Sequence, residues 1–334
     1  MRARDDVIRA VEASYAVHRP EPTWLEEICR EVRPWKDLGL GIIAWTFSIH
    51  PGDTWIGEPC VVGGNPDFAA LPKHFMKEFG TDTTREAYLS GPCCTGSETY
   101  GQQAFAKLCP PGVSDFLATL GVSPEGLGVM LGAPTSKSIE VDRRVRFRSE
   151  RLAAHLANTY RLRIRIHQGL LNGTTPADAD AVLEPDGKLV HAATAQTKDS
   201  ETTERLRTAV KAIDRARGAQ RRVEPEAALD SWRALVSGRW SLVDHFESDG
   251  RRYMVALDNP PGTTDPRQLT PRERHVAAYA ALGYSGKQTA YTLGIDPSVV
   301  SRHLAEAVRK LGLASPLELP AYFARLVRRG METP

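Results

Sequence analysis

The chain has 334 residues, of which 41% are hydrophobic and 25% charged, the balance of a soluble globular protein with two or three domains. No apolar run approaches the ~18 residues of a membrane span, and the charged N-terminus (MRARDDVIRAVEASYAVHR) lacks the apolar stretch of a secretory signal, so a cytoplasmic protein with no membrane partner is expected. The net charge of +2 hides an asymmetry: residues 265–334 hold 10 Lys/Arg against 6 Asp/Glu, while residues 1–264 hold 33 against 35. A small basic piece on a near-neutral body points to an appended polyanion-binding module.

In chain order, Val7, Ile8, Val11 and Tyr15 fall at helical spacing, and HRPEP breaks that first helix. A second helix is predicted from about Trp24 to Val32. LGLGIIAWTFSIHPGD then reads as a buried strand ending in a turn. Leu71–Phe79 reads as a helix, Leu127–Ala133 as a strand and Asp142–Arg165 as a long helix carrying Leu152, Leu156 and Tyr160 on one stripe. AVLEPDGKLVHA predicts a hairpin turning at Pro185-Asp186-Gly187, and helices are predicted at Glu201–Arg217 and Pro225–Ser237. RWSLVDHFESDGRRYMVALDN is a second hairpin. NPPGTTDP, residues 259–266, has three prolines and no periodicity and reads as a semi-rigid linker.

Five cysteines are too few and too odd a set for a disulfide scaffold, which fits a reducing compartment. Cys93 and Cys94 are adjacent, a geometry that strains a disulfide, and no histidine cluster accompanies them. They read as two small residues in a loop, and no metal or cofactor is expected. His50, His74 and His191 have no partner in sequence, and Trp232 and Trp240 read as packing residues.

The informative stretch is Leu269–Leu319. Thr270, Pro271 and Glu273 occupy N-cap, N1 and N3, a capping box. That helix ends near Gly283. A short second helix runs from Ser285 to Leu293 with Gly294 at its end, and Asp296 caps a third helix with Pro297 at N1. Two helices joined by a glycine turn, the second freshly capped, describe a helix-turn-helix. At ~100° per residue, Val300, Leu304, Ala307, Val308 and Leu311 share one side of the third helix. Ser298, Arg302, Ala305 and Arg309 share the other. The outer stripe is short and polar or basic, as a helix needs to approach base edges and phosphates. GYSGKQT is not a phosphate loop: two residues separate Gly283 from Gly286, and Gln288 stands where a Mg²⁺-binding Ser/Thr belongs.

This segment resembles the DNA-binding domain of the LuxR/NarL (GerE-type) regulators. The resemblance rests on Leu269-Thr270-Pro271-Arg272-Glu273-Arg274, Gly283, Lys287, Ala290, Leu293-Gly294-Ile295, Val300, His303, Leu304 and Lys310-Leu311-Gly312. It implies a four-helix domain with the third helix in the major groove, Lys287 on phosphate, and a fourth helix that often dimerises. The DNA-contacting set expected is Lys287, Ser298, Ser301, Arg302, Ala305, Arg309 and Lys310. Ser301 stands where the family usually has lysine, and Thr289 where it has isoleucine, so Arg302 is expected to carry more of the readout.

The front of the chain fits neither a receiver, since Asp5-Asp6 precede any strand, nor the Trp/Tyr/Asp pattern of a lactone-binding domain. Its element order resembles a GAF-like unit over residues 1–168 followed by a PAS-like unit over 177–258. The fold class expected is therefore α+β and multidomain: GAF/PAS-like sensory units with antiparallel sheets, then an all-α helix-turn-helix domain over 267–330. Trp45, Phe47, Trp55, Tyr88, Tyr100 and Phe105 are candidate pocket residues for a small-molecule effector. The function expected is a non-enzymatic, homodimeric regulator of transcription that binds double-stranded DNA under control of its front units. The alternative is a constitutive binder whose front end only dimerises or holds a protein partner. Leu319, Tyr322, Phe323 and Leu326 on the last helix, and the stripe at Leu152, are the expected dimer surfaces.

Overall fold

A computed structural model describes residues 7–50, 53–88, 91–123, 126–169, 174–195, 197–232, 235–236, 240–246, 250–259, 269–311 and 313–322. The chain divides into two compact units, one of residues 1–161 with Ala281–Tyr284 and the segment from Leu317, the other of Leu162–Ala280 and Ser285–Pro316. Among the described residues no helix is long and apolar enough to cross a membrane.

The first unit opens with α1 (Val7–Ser14) and α2 (Glu21–Lys36). Asp37 turns the chain after α2: its carboxylate accepts from the amides of Gly39 (2.8 Å) and Gly41 (2.9 Å). A sheet follows, built from β1 (Ile42–His50), β2 (Asp53–Ile56) and β3 (Cys60–Val62). Helices α3 (Leu71–Phe79), α4 (Thr81–Tyr88), α5 (Gly96–Tyr100) and α6 (Gln102–Leu108) flank the short β4 (Cys93–Thr95), and β5 (Asp115–Val122) and β6 (Leu127–Thr135) complete the sheet. Its order is β2-β1-β6-β5-β4, all antiparallel, with β3 also pairing β1. Strand alternation splits it into two faces. Ile43, Trp45, Phe47 and Ile49 join an aromatic core with Leu71, Tyr88, Phe105 and Phe116. The other face carries Thr46, which donates to Glu21 of α2 (3.0 Å), and Thr119, which accepts from Lys36 (2.9 Å). The long α7 (Arg143–His167) also covers this face, and Gly121 of β5 makes that possible. A Cβ there would lie 2.6 Å from the Ala153 carbonyl oxygen of α7.

The second unit contains β7 (Ala181–Leu183), β8 (Leu189–Ala192), α8 (Ser200–Arg217), α9 (Ala219–Val223), α10 (Pro225–Ser231), β9 (Leu235–Val236), β10 (Trp240–Phe246) and β11 (Arg252–Asp258). Its sheet runs β8-β7-β11-β10-β9, again antiparallel. α8 buries Leu206, Val210 and Ile213 along one stripe. Arg217 ion-pairs with Asp244 and places its guanidinium 4.3 Å from the centre of the Trp232 ring. Trp232 and Trp240 are both buried packing residues, as the sequence suggests. The unit also holds the three helices α11 (Pro271–Ala281), α12 (Gly286–Leu293) and α13 (Pro297–Leu311), apart from Ala281.

Two expectations need correction, and one strand goes unpredicted. The helix predicted at Pro225–Ser237 ends at Ser231, because Trp232 is extended and Leu235-Val236 pair with the edge of β10. Cys93 and Cys94 are not in a loop; they form β4, paired with Thr119 and Ala118, and both are buried. β5 is a strand the sequence reading does not assign, since all eight of its residues are buried and no alternation marks it. Of the linker 259–266, only Asn259 lies among the described residues, where it bonds the Ser241 hydroxyl.

Candidate nucleic-acid interface

Local chemistry places each helix of the C-terminal segment. At α11, the Thr270 amide donates to Glu273 Oε2 (2.8 Å) and the Glu273 amide donates to Thr270 Oγ1 (3.3 Å), the reciprocal bonds of the predicted box. α12 starts with a second box: the Ser285 amide donates to Gln288 Oε1 (2.7 Å) and the Gln288 amide to Ser285 Oγ (3.3 Å). Gly294 ends α12 in the left-handed region at φ 67°, which a side chain would disfavour. Asp296 then accepts from the Ser298 amide (2.8 Å) and starts α13.

α13 sorts its residues as the helical wheel requires. Val300, Ala307, Val308 and Leu311 are buried, with Leu304 half-buried beside them. Ser298, Ser301, Arg302, Ala305 and Arg309 are exposed together. Ser301 Oγ donates to the Pro297 carbonyl (3.1 Å), and Arg309 pairs with Glu306 one turn back. Lys287 is exposed in the first turn of α12. Lys310 is turned away from that exposed stripe: its ammonium donates to both oxygens of the buried Glu273, at 2.8 and 3.0 Å, and holds α13 against the start of α11. α12 is anchored by Tyr291, whose hydroxyl meets the carbonyl oxygens of Leu229 and Trp232, both at 2.8 Å.

Arg272 belongs to the family motif but not to the expected contact set, and the structure brings it next to Arg302. Burial lowers the Arg272 guanidinium from its ordinary value, and the nearby charges of Arg205 and Arg302 push the same way, against Glu201. Arg272, Val299 and Arg302 border a cleft of about 870 Å³ that α8 also lines through Ser200, Glu201 and Glu204. Burial, then Arg272 and Arg302, likewise favour neutral His303. The missed signal was position: Arg272 sits at N2 of α11, directly before Glu273, where only the fold reveals its neighbour on α13.

In the first unit the six candidate pocket aromatics separate. Trp45, Tyr88, Tyr100 and Phe105 line a shared cavity of about 40 Å³ together with Phe75 and Phe116. Trp45 Nε1 donates to the Tyr88 hydroxyl (3.1 Å), and burial raises that phenol well above its usual range. Phe47 packs edge-on against Tyr88, with ring centres 4.5 Å apart, in the core behind the cavity. Trp55 does not join them. It pairs with Ser48, an even-numbered residue of β1, and so projects from the opposite face of the sheet. Among the described residues no group of three or more His, Cys, Asp or Glu is placed to hold a metal ion. Of the proposed last-helix stripe, Leu319 is buried and the chain is helical through Tyr322, while Phe323 and Leu326 lie outside the described residues.

Residues 267–323 match the family described as GerE, bacterial regulatory proteins of the luxR family. The transcriptional regulatory protein UhpA of Escherichia coli (strain K12) is 40% identical over 78 residues, which are 22% of this chain and 39% of that protein. UhpA of Salmonella typhimurium (strain LT2) matches with the same identity and coverage. The chain thus spans about two fifths of the length of the curated relatives it matches. The capped α11–α12–α13 arrangement lies wholly inside the matched segment, and the C-terminal domain of this chain is a helix-turn-helix domain of the luxR family.

Proposed function

We propose that this chain is a DNA-binding transcription regulator. α13 enters the major groove, with Ser298, Ser301, Arg302, Ala305 and Arg309 turned to bases and phosphates, and Lys287 neutralises a phosphate from the start of α12. Lys310 stays with Glu273 and is outside the reading face. The observation that carries this reading is the exposed polar and basic stripe on α13, set on a helix whose other side is apolar and whose neighbours are both capped. The relatives' description as transcriptional regulatory proteins supports it. The regulator acts as a homodimer, since two-fold symmetry suits a palindromic operator. The test is selection of sites from a random duplex pool by the full chain. Enriched inverted repeats bound by two chains are expected; no enrichment over non-specific DNA would end the reading.

The front units adjust this binding. Within its own unit the second sheet has the order 2-1-5-4-3, which supports the PAS-like assignment for 177–258, and the antiparallel first sheet supports the GAF-like one for 1–168. An effector in the Trp45–Tyr88 cavity shifts a two-state equilibrium only if it binds the two states differently. Linkage then obliges operator DNA to change effector affinity by the same factor. A cavity of about 40 Å³ is close to the share of one water, far below a typical ligand site of ~300 Å³ or more. That volume favours a second reading, in which the first unit dimerises or binds a protein partner without an effector. A thermal-shift screen on the full chain separates the two: sensing requires a compound that both shifts melting and changes operator affinity.

A further inference from the structure

Two of the five cysteines face each other across secondary-structure elements. Cys29 lies on the buried side of α2, between Ile28 and Val32, and is fully enclosed. Cys60 begins β3 and is half-buried. It pairs with Ala44, an even-numbered residue of β1, so its side chain projects from the α2 side of the sheet. The two thiols are brought together where α2 packs on β3, with Glu26 and Arg30 of α2 as the charged neighbours. The remaining thiols offer no equivalent pair. Cys93 and Cys94 are consecutive in one strand and point to opposite faces, and Cys109 follows α6.

From this juxtaposition we propose that Cys60 and Cys29 form a reversible dithiol–disulfide pair, a redox modification site that ties α2 to the edge strand β3. The oxidant class is a hydroperoxide. The Cys60 thiolate attacks the outer peroxide oxygen, the O–O bond breaks, and Cys60 becomes a sulfenic acid while hydroxide or alkoxide leaves. Cys29 sulfur then attacks Cys60 sulfur. The S–S bond forms, the S–O bond breaks, and the sulfenic hydroxyl leaves with the Cys29 proton as water. Two electrons pass from the thiol pair to the peroxide. The order of the steps follows from the environments. Cys60 reaches solvent, and the Cys29 hydrogen bond and Arg30 outweigh burial and Glu26 to lower its thiol below the ordinary value. Cys29 is driven the other way, by its hydrogen bond to Cys60 and by burial, so it stays a thiol until the sulfenic acid is beside it.

The experiment exposes the reduced full chain to hydrogen peroxide and maps tryptic peptides by mass. The expected product is a link between peptides 10–30 and 37–73, which carry Cys29 and Cys60, lighter by two hydrogens and reversed by dithiothreitol. Cys60 should react at least tenfold faster than Cys93, Cys94 or Cys109. In Cys29→Ser the link is lost and dimedone traps Cys60 sulfenic acid. In Cys60→Ser, Cys29 stays reduced. The proposal is overturned if the wild-type chain leaves Cys60 unmodified, carries it to sulfinic acid while Cys29 remains free, or links other cysteines instead. The wild-type map alone decides this, whether or not either variant folds.

Discussion

Glu273 ties α13 to the start of α11. Its carboxylate side chain is 6% exposed and receives three hydrogen bonds, two from the Lys310 ammonium and one from the Thr270 amide. Glu273→Ala removes one half of a capping box, about 1 kcal/mol. It also removes charge-assisted bonds worth roughly 1.5–3 kcal/mol, of which the lower end applies because the Lys310 side chain is 27% exposed and can turn to water. The sum is about 2–3 kcal/mol of local stability. At 1.4 kcal/mol per factor of ten, amides of α11 and α13 that exchange by opening of this domain should exchange roughly 30–150 times faster. Hydrogen exchange of the full chain, resolved by peptide, measures it. Glu273→Gln keeps the cap and loses the charge, so it should fall between, and a cycle with Lys310→Met isolates the pair. Burial pushes the Glu273 carboxyl up, but Lys310 and the Thr270 bonds outweigh it and hold it below the usual value. The stabilisation is therefore present above the ordinary glutamate pKa of ~4.3 and is lost as pH falls through the lowered one. Exchange of α13 in Glu273→Ala within threefold of wild type would refute this account of how the helix is held.

Two further predictions concern the first unit. Burial brings Lys36 from its ordinary value of 10.5 to about 8, against the raising influence of Cys93 and Cys94. At ~1.4 kcal/mol per pKa unit its charge costs roughly 3 kcal/mol at neutral pH, and Lys36→Met, after about 1 kcal/mol lost at Thr119, should stabilise the unit by ~1–2 kcal/mol in urea titrations. Because the folded chain holds fewer protons between pH 8 and 10.5, wild-type stability should rise across that window and the variant's should not. Gly121→Ala puts a methyl 2.6 Å from Ala153 O and 2.8 Å from Ala157 N, both helix backbone, so it should cost about 2–3 kcal/mol by the same assay; a neutral result would mean that α7 does not pack on β5.

What could be read from sequence divides along physical lines. The three C-terminal helices were legible because their signals are local: Thr270 with Glu273, Asp296 before Pro297, and Gly294 each act within four residues of where they stand. The faces of α13 followed from one periodicity. Lys310 did not, since its role depends on Glu273, 37 residues away and on another helix. The same limit governs the aromatics. Trp45 and Trp55 look equivalent in sequence, yet the β1–β2 register opposes Trp55 to Ser48 and sends it to the other face. β4 stayed hidden because it is three residues long, and β5 because burial on both faces removes alternation while Thr119 interrupts its apolar run; the helix predicted beyond Ser231 is cut short where Leu235-Val236 pair with Ser241 and Trp240, a short-range strand pairing that the helical pattern masks.

DNA recognition by the outer stripe of α13 is the central claim, and a salt-resolved comparison of two variants tests it most directly. Binding of the full chain to its selected site and to an unrelated duplex is measured by fluorescence anisotropy across a salt series. Arg302→Ala should cost about 1–3 kcal/mol at the selected site and leave the unrelated duplex little changed, because it removes a base contact. Lys287→Ala should weaken both duplexes alike and reduce the salt slope by about one, because it removes a phosphate contact. Selected-site affinity in Arg302→Ala equal to wild type, with the fold intact, would contradict the assignment of that face.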